Sequence, residues 1–245
     1  MKIGFGIFCF GEEHYFKGTI NKINKILNGG FECYILTDNP EYFHKKYFSS
    51  YLHTISYDKR NPSYHDKMIL PIHVLKHHDI CILIDADCDI IDNTFLNDIR
   101  KYEFKNGITY IDTLINHISK KEFVRDMNLN TNEWVHYNNY LNLIYPEYNN
   151  LELIWEYFLV INKDGFNQDS FYKTYEKLQL TKDFSDLYHN KDVTGAGEGI
   201  SIQISSILSE TSIQRDEELY GILKNKIRSI SKRYTPKHLW PNWMK

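Results

Sequence analysis

The segment Asp85-Ala86-Asp87-Cys88-Asp89-Ile90-Ile91-Asp92 follows directly on the apolar run Ile80 to Ile84. Side chains two apart in a strand project to one side. If the strand continues, Asp85, Asp87 and Asp89 share a face. Carboxylates that close repel one another unless a cation stands among them. All-oxygen ligation suits Mg²⁺ or Mn²⁺, ions that keep waters and complete their shell with substrate phosphates. Asp85 and Asp87 are therefore the candidate metal ligands. A cation held there stabilises the charge that develops as a nucleoside diphosphate departs. The plain alternative, for so short a pattern, is a strand end with solvated acids.

The elements that must position these residues alternate in type. Lys2 to Phe10 reads as a buried strand ending at Gly11. Lys17 to Leu27 places Ile20, Ile23 and Leu27 on one helical face, and Gly29-Gly30 stops that helix. Glu32 to Leu36 is a second strand, closed by the turn Thr37-Asp38-Asn39-Pro40, and Tyr51 to Ser56 is a candidate third. His65 to His77 reads as a helix in which Pro71 demands a kink or a late start. Ile80 to Ile84 is apolar throughout, as suits the centre of a parallel sheet covered on both sides. This order predicts an α/β fold with a Rossmann-like, mostly parallel sheet flanked by helices. In such sheets ligands sit beyond the carboxyl ends of the strands, where the acidic cluster falls.

The second half is less regular. Residues 116 to 150 read as helices and loops. Trp155 to Ile161 reads as a strand and Gln168 to Leu178 as a helix. Gly195, Gly197 and Gly199 make a turn before a helical face of Ile200, Ile204, Ile207 and Leu208. Glu217 to Ser229 reads as a further helix. No internal repeat or linker divides the chain, so the expectation is one domain, with a nucleotide-binding half over 1–92 and an acceptor half with a basic tail over 93–245.

Net charge is -3, which gives no global basic field for nucleic acid. Basic residues collect late: no acidic residue follows Glu218, while Lys224, Lys226, Arg228, Lys232, Arg233, Lys237 and Lys245 do. This tail is a solvated face, a cover for phosphate, or a peripheral membrane contact. Cys9, Cys33, Cys81 and Cys88 show no CxxC spacing, so neither a zinc site nor a disulfide framework is expected. No apolar run approaches the roughly 18 residues of a membrane span. A reducing, cytoplasmic setting, with possible membrane association through the tail, is the expected localisation.

At Asp85-Ala86-Asp87 the sequence resembles the GT-A glycosyltransferases that use nucleotide sugars. Within that fold it is similar, at a distance, to the retaining enzymes of the histo-blood-group type (family 6). Ile84-Asp85-Ala86-Asp87 is also similar to family 8. The strand end Phe8-Cys9-Phe10 resembles family 6 residues that line the nucleobase pocket. Tyr34-Ile35-Leu36-Thr37-Asp38-Asn39-Pro40 resembles its second strand and turn. In His65-Asp66-Lys67-Met68-Ile69, Lys67 stands where the family usually has an Arg that touches the donor. Glu156-Tyr157-Phe158 precedes a strand, as in the family. Glu198 alone matches the family's stretch around its nucleophile or charge stabiliser. Arg233-Tyr234-Thr235-Pro236-Lys237-His238 resembles its basic tail, which closes over the diphosphate.

The resemblance implies a metal-dependent, retaining glycosyltransferase. It would move a hexose or N-acetylhexosamine from a UDP-linked donor to a glycan or other acceptor. Phe8, Cys9 and Phe10 would border the base, Lys67 and Lys237 would offset phosphate charge, Asp85 and Asp87 would hold Mn²⁺ or Mg²⁺, and Glu198 would act at the anomeric carbon. Glu198 has a plainer role available, since acids suit helix N-termini. One rival is a non-catalytic module binding a sugar nucleotide or glycan. Another is a phosphatase of the haloacid dehalogenase type. That class carries its acidic doublet after the first strand, with Thr or Val where this chain has Asp89.

Overall fold

The computed structural model describes residues 1–11, 13–47, 49–57, 64–111, 113–115, 153–154, 157–180 and 198–229. Strands β1 (Ile3–Cys9), β2 (Glu32–Thr37), β3 (Leu52–Ser56) and β4 (Ile80–Ile84) are rich in β-branched, aromatic and cysteine side chains. They pair in parallel in the order β3-β2-β1-β4. The sheet continues through β9 (Phe158–Asn162), β6 (Gly107–Tyr110) and β10 (Ile213–Arg215), giving seven strands among the described residues, while β7 (Thr113–Ile115) and β8 (Leu153–Ile154) pair with each other outside it. Only β9 runs against the rest; it is antiparallel to both β4 and β6. The mostly parallel sheet expected from the sequence is therefore present, with one reversed strand inside it.

Helices cover both faces. On one face α1 (Glu13–Asn28), α4 (Thr94–Lys101) and α7 (Glu217–Leu223) enclose a core with Phe5, Ile7, Ile82, Ile84 and Phe158. On the other, α3 (Leu70–Val74), α5 (Gln168–Leu180) and α6 (Glu198–Leu208) pack with Cys81, Leu83, Leu159 and Ile161. Adjacent residues of β4 and β9 thus feed opposite cores, as a strand buried on both faces requires.

Local chemistry explains several boundaries. Asn39 caps the short helix α2 (Pro40–His44) by accepting from the Tyr42 N–H at 3.1 Å. The helix expected over His65 to His77 begins late: a 3-10 turn, Tyr64–Ile69, precedes α3, and Pro71 lies in the first turn of α3. Gly4 and Gly6 let that helix approach β1. A Cβ on Gly4 would stand 2.7 Å from Val74, and one on Gly6 would stand 3.3 Å from Leu70. This close seat brings the Lys67 turn alongside the carboxyl end of β4.

The condition that would have aligned Asp89 with the doublet is not met, and one expectation is corrected. The apolar strand ends at Ile84, and the chain turns through Asp85-Ala86-Asp87 before entering a separate short strand, β5 (Cys88–Ile90). The helix expected from Glu217 to Ser229 stops at Leu223. Asn225 then takes a positive φ of 68°, and Ile227–Ser229 forms a strand, here β11, antiparallel to β5. The expectations for 116 to 150 and for Gly195 and Gly197 lie outside the described residues.

Candidate active site

Strand order reverses direction at β1, which has β2 on one side and β4 on the other. The crevice beyond such a switch point is where open α/β sheets bind ligands. Here it is a groove of about 330 Å³, lined by Phe8, Phe10, Gly11, Tyr15, Lys67, Asp85, Ala86 and Asp87. Five of the residues singled out in the sequence thus meet at one place: Phe8, Phe10, Lys67, Asp85 and Asp87.

Alternation along β1 decides which aromatic positions contribute. Phe8 and Phe10 lie on the groove side, their rings 4.5 Å apart, and Tyr57 meets Phe10 edge-on at 5.8 Å. Cys9 points the other way. It is fully buried, accepts a hydrogen bond from the Thr19 hydroxyl at 3.4 Å, and burial pushes its thiol up to about 12. The expectation that the Cys9 side chain borders a base is corrected: it belongs to the core against α1.

The acidic turn is fixed on several sides. The Asp85 N–H donates to the Tyr157 carbonyl at 3.0 Å, and the Cys88 N–H closes the turn onto the Asp85 carbonyl at 3.1 Å. Lys67, only 4% exposed, pairs with the Asp85 carboxylate at 2.7 Å. Its own turn is anchored by Tyr57, whose hydroxyl donates to Asp66 at 3.0 Å, and by Tyr172, whose hydroxyl donates to the Met68 carbonyl. From the opposite face Lys22, wholly buried, donates to the Asp85 carbonyl. Burial lowers the Lys22 pKa, against the opposing pull of Cys88, Asp87, Cys9 and Asp85.

Asp89 does not join the doublet. The break after Ile84 ends the alternation that would have aligned it. Its carboxylate accepts from Asn21 at 3.2 Å and pairs with Lys25 at 3.5 Å, both on α1. Asp87 remains with Asp85 at the groove. Burial and the neighbouring Asp85 push the Asp87 carboxyl above the usual carboxylate range, while Lys22 and Lys67 pull it back. Two carboxylates in mutual repulsion are the arrangement a divalent cation relieves, so the donor set fits Mg²⁺ or Mn²⁺. Among the described residues no cluster of three His, Cys, Asp or Glu side chains is placed to hold a metal. The doublet would leave the remaining positions to water and phosphate.

Glu198 begins α6, at the helix start expected for it. Its side chain, Lys237 and the rest of the basic tail beyond Ser229 lie outside what the structure describes. Lys22, Tyr15 and Tyr57 are the site residues that sequence reasoning missed. A signal for Lys22 existed. The buried stripe of α1 is Phe16, Thr19, Lys22, Ile23 and Ile26, centred about one residue away from the Ile20, Ile23 and Leu27 face. A lysine inside a buried stripe must find an acceptor.

No family profile and no curated protein matches the chain. Among solved structures it is similar to the apo bifunctional glycosyltransferase WbbM, at 11% identity and a TM-score of 0.52, over 87% of this chain and 38% of that one. It is also similar to glucosyl-3-phosphoglycerate synthase from Mycobacterium tuberculosis, solved with Mn²⁺, UDP and phosphoglyceric acid, at 14% identity and a TM-score of 0.47, over 87% and 67% of the two chains. A third is mouse xyloside xylosyltransferase 1 in its apo form, at 10% identity and a TM-score of 0.45, over 88% and 85%. The likeness to WbbM is one of fold, the Rossmann-like sheet of the GT-A type. This chain spans well under half of the WbbM chain.

Proposed function

We propose that this chain is a divalent-metal-dependent glycosyltransferase that takes a hexose or N-acetylhexosamine from a UDP-linked donor to a carbohydrate or glycoconjugate acceptor. One observation carries the reading: an acidic doublet, a buried lysine and an aromatic wall line a single groove at the switch point of the sheet. Asp85 and Asp87 would hold Mn²⁺ or Mg²⁺. The ion, when bound, supplies Lewis-acid stabilisation of the leaving diphosphate.

The other roles belong to the chain itself. Phe8 and Phe10 offer apolar ring surface on which a planar base can stack. Lys67 supplies positive charge beside the doublet, and Lys237 in the basic tail is assigned a second phosphate contact. Glu198 is assigned to the anomeric carbon, as nucleophile or charge stabiliser. Retention of configuration goes with that assignment.

Calorimetric titration of UDP with and without Mn²⁺ tests the metal role. Binding should need Mn²⁺, and Asp87→Asn should remove the dependence along with most of the affinity. UDP binding that is the same with and without Mn²⁺ would sink it. For Glu198, donor hydrolysis by Glu198→Gln near the parent rate would take it off the catalytic list. NMR assignment of the product anomer decides retention.

A further inference from the structure

A lysine sealed from water is costly unless its ammonium is hydrogen-bonded and offset by charge. Lys22 is 0% exposed, and its Nζ donates to a main-chain oxygen, the carbonyl of Asp85. Its neighbours on α1 hold the same stretch of chain. Lys25, one turn on, donates to the Ile90 carbonyl and pairs with Asp89, which also accepts from Asn21. One helix face therefore clamps both ends of the segment from Asp85 to Ile90. Asp85 itself is gripped from two faces of the sheet: its carbonyl by Lys22 and its carboxylate by Lys67.

The division of labour follows from the atoms touched. Lys67 occupies a carboxylate oxygen and must give way to any ligand that needs it. Lys22 occupies a carbonyl oxygen and can stay in place whatever the carboxylates do. We infer that Lys22 is a positioning residue for the Asp85–Asp87 doublet, fixing the turn from beneath through the Asp85 carbonyl and so setting the doublet's affinity for its cation. The cation part rests on the function proposed above; the fixing of the turn does not.

Two readouts on the full chain separate these parts. The first is amide hydrogen exchange without metal. Lys22→Met, of similar length and apolar, should speed exchange of the Cys88 amide, which closes the turn, at least tenfold, with the β1 amides unchanged. Lys22→Gln keeps an N–H donor and should recover most of the protection. The second is Mn²⁺ titration without nucleotide, where Lys22→Met should weaken binding about tenfold and Lys22→Gln by much less.

Unchanged Cys88 exchange in Lys22→Met overturns the inference. So does acceleration spread evenly over the sheet, which would make Lys22 a general core residue, and so does failure of Gln to recover protection. Tighter Mn²⁺ binding by Lys22→Met would mean that the ammonium only competes with the cation, and overturns it too. If the parent chain binds no Mn²⁺, the proposed function fails, and the exchange data alone decide whether Lys22 fixes the turn.

Discussion

Lys67 and a divalent cation compete for one carboxylate. The Lys67–Asp85 pair is nearly closed to water on the lysine side and 31% open on the aspartate side. Lys67→Met removes the competitor, so Mn²⁺ binding in the absence of nucleotide should tighten several-fold. The same change removes a positive charge at the groove, so Mn²⁺-dependent UDP binding should weaken about tenfold. The folding cost should be about 1 kcal/mol, because water screens the exposed side of the pair. Calorimetry with each ligand separately, beside a urea melt, reads all three. Weakening of Mn²⁺ and UDP binding together would instead make Lys67 a support for the turn. At this scale the sequence was informative where an argument needed only residue type. Asp85 and Asp87 stand out as acids after an apolar run. The placements of Asp89 and Cys9 were not legible in this way, because their side-chain directions depend on where a strand ends and which core claims each face.

The elements around the site depend on caps and tight turns that residue type alone only partly reveals. Asp216 is buried and caps α7, accepting from the Glu218 and Leu219 N–H groups at 3.0 Å. The Tyr102 hydroxyl donates to it, and Lys105 pairs with it at 3.3 Å. Burial opposes the Asp216 charge, yet Tyr102, the Leu219 amide and Lys105 together hold its pKa below the ordinary value of 3.8. A carboxylate depressed on folding stabilises the native state above its unfolded pKa, and that stability is lost as pH falls through the folded value. Asp216→Asn should therefore cost about 1–2 kcal/mol at pH 7, and the gap from the parent should close below about pH 4. Urea melts from pH 3 to 7 check this, and a gap that stays constant would remove the charge from the account. Gly107, at the start of β6, has φ +77°, and a Cβ there would lie 2.2 Å from the Ser212 carbonyl oxygen. Gly107→Ala should cost about 2 kcal/mol or more by the same melt. Ile80 to Ile84 was legible because it is apolar throughout. The end of α7 was not, because a continuing run of helix formers hides the turn that Asn225 makes.

At the scale of the whole chain, β9 inserts antiparallel between β4 and β6, and this places the Tyr157 carbonyl against the Asp85 N–H. Its apolar sequence predicted a strand but carried no direction, so the parallel half was legible and the reversal was not. The consequence is a groove floor tied to the sheet centre, while its contents come from β1, α1, the Lys67 turn and the Asp85 turn. A ligand that bridges those parts should stabilise the fold as a unit. Binding at one hundred times the dissociation constant contributes about 2.7 kcal/mol, which for a domain of this size raises the melting midpoint by roughly 5 to 10 °C. UDP with Mn²⁺ should give such a rise, and UDP alone or Mn²⁺ alone should give much less than half of it. In Asp87→Asn the rise with both ligands should fall to the sum of the separate effects. The size of that non-additivity is the coupling between cation and diphosphate, and it distinguishes one shared site from two independent ones. Additive shifts in the parent chain would mean that the doublet and the aromatic wall bind separately, and that their meeting in one groove does not make a diphosphate–metal site.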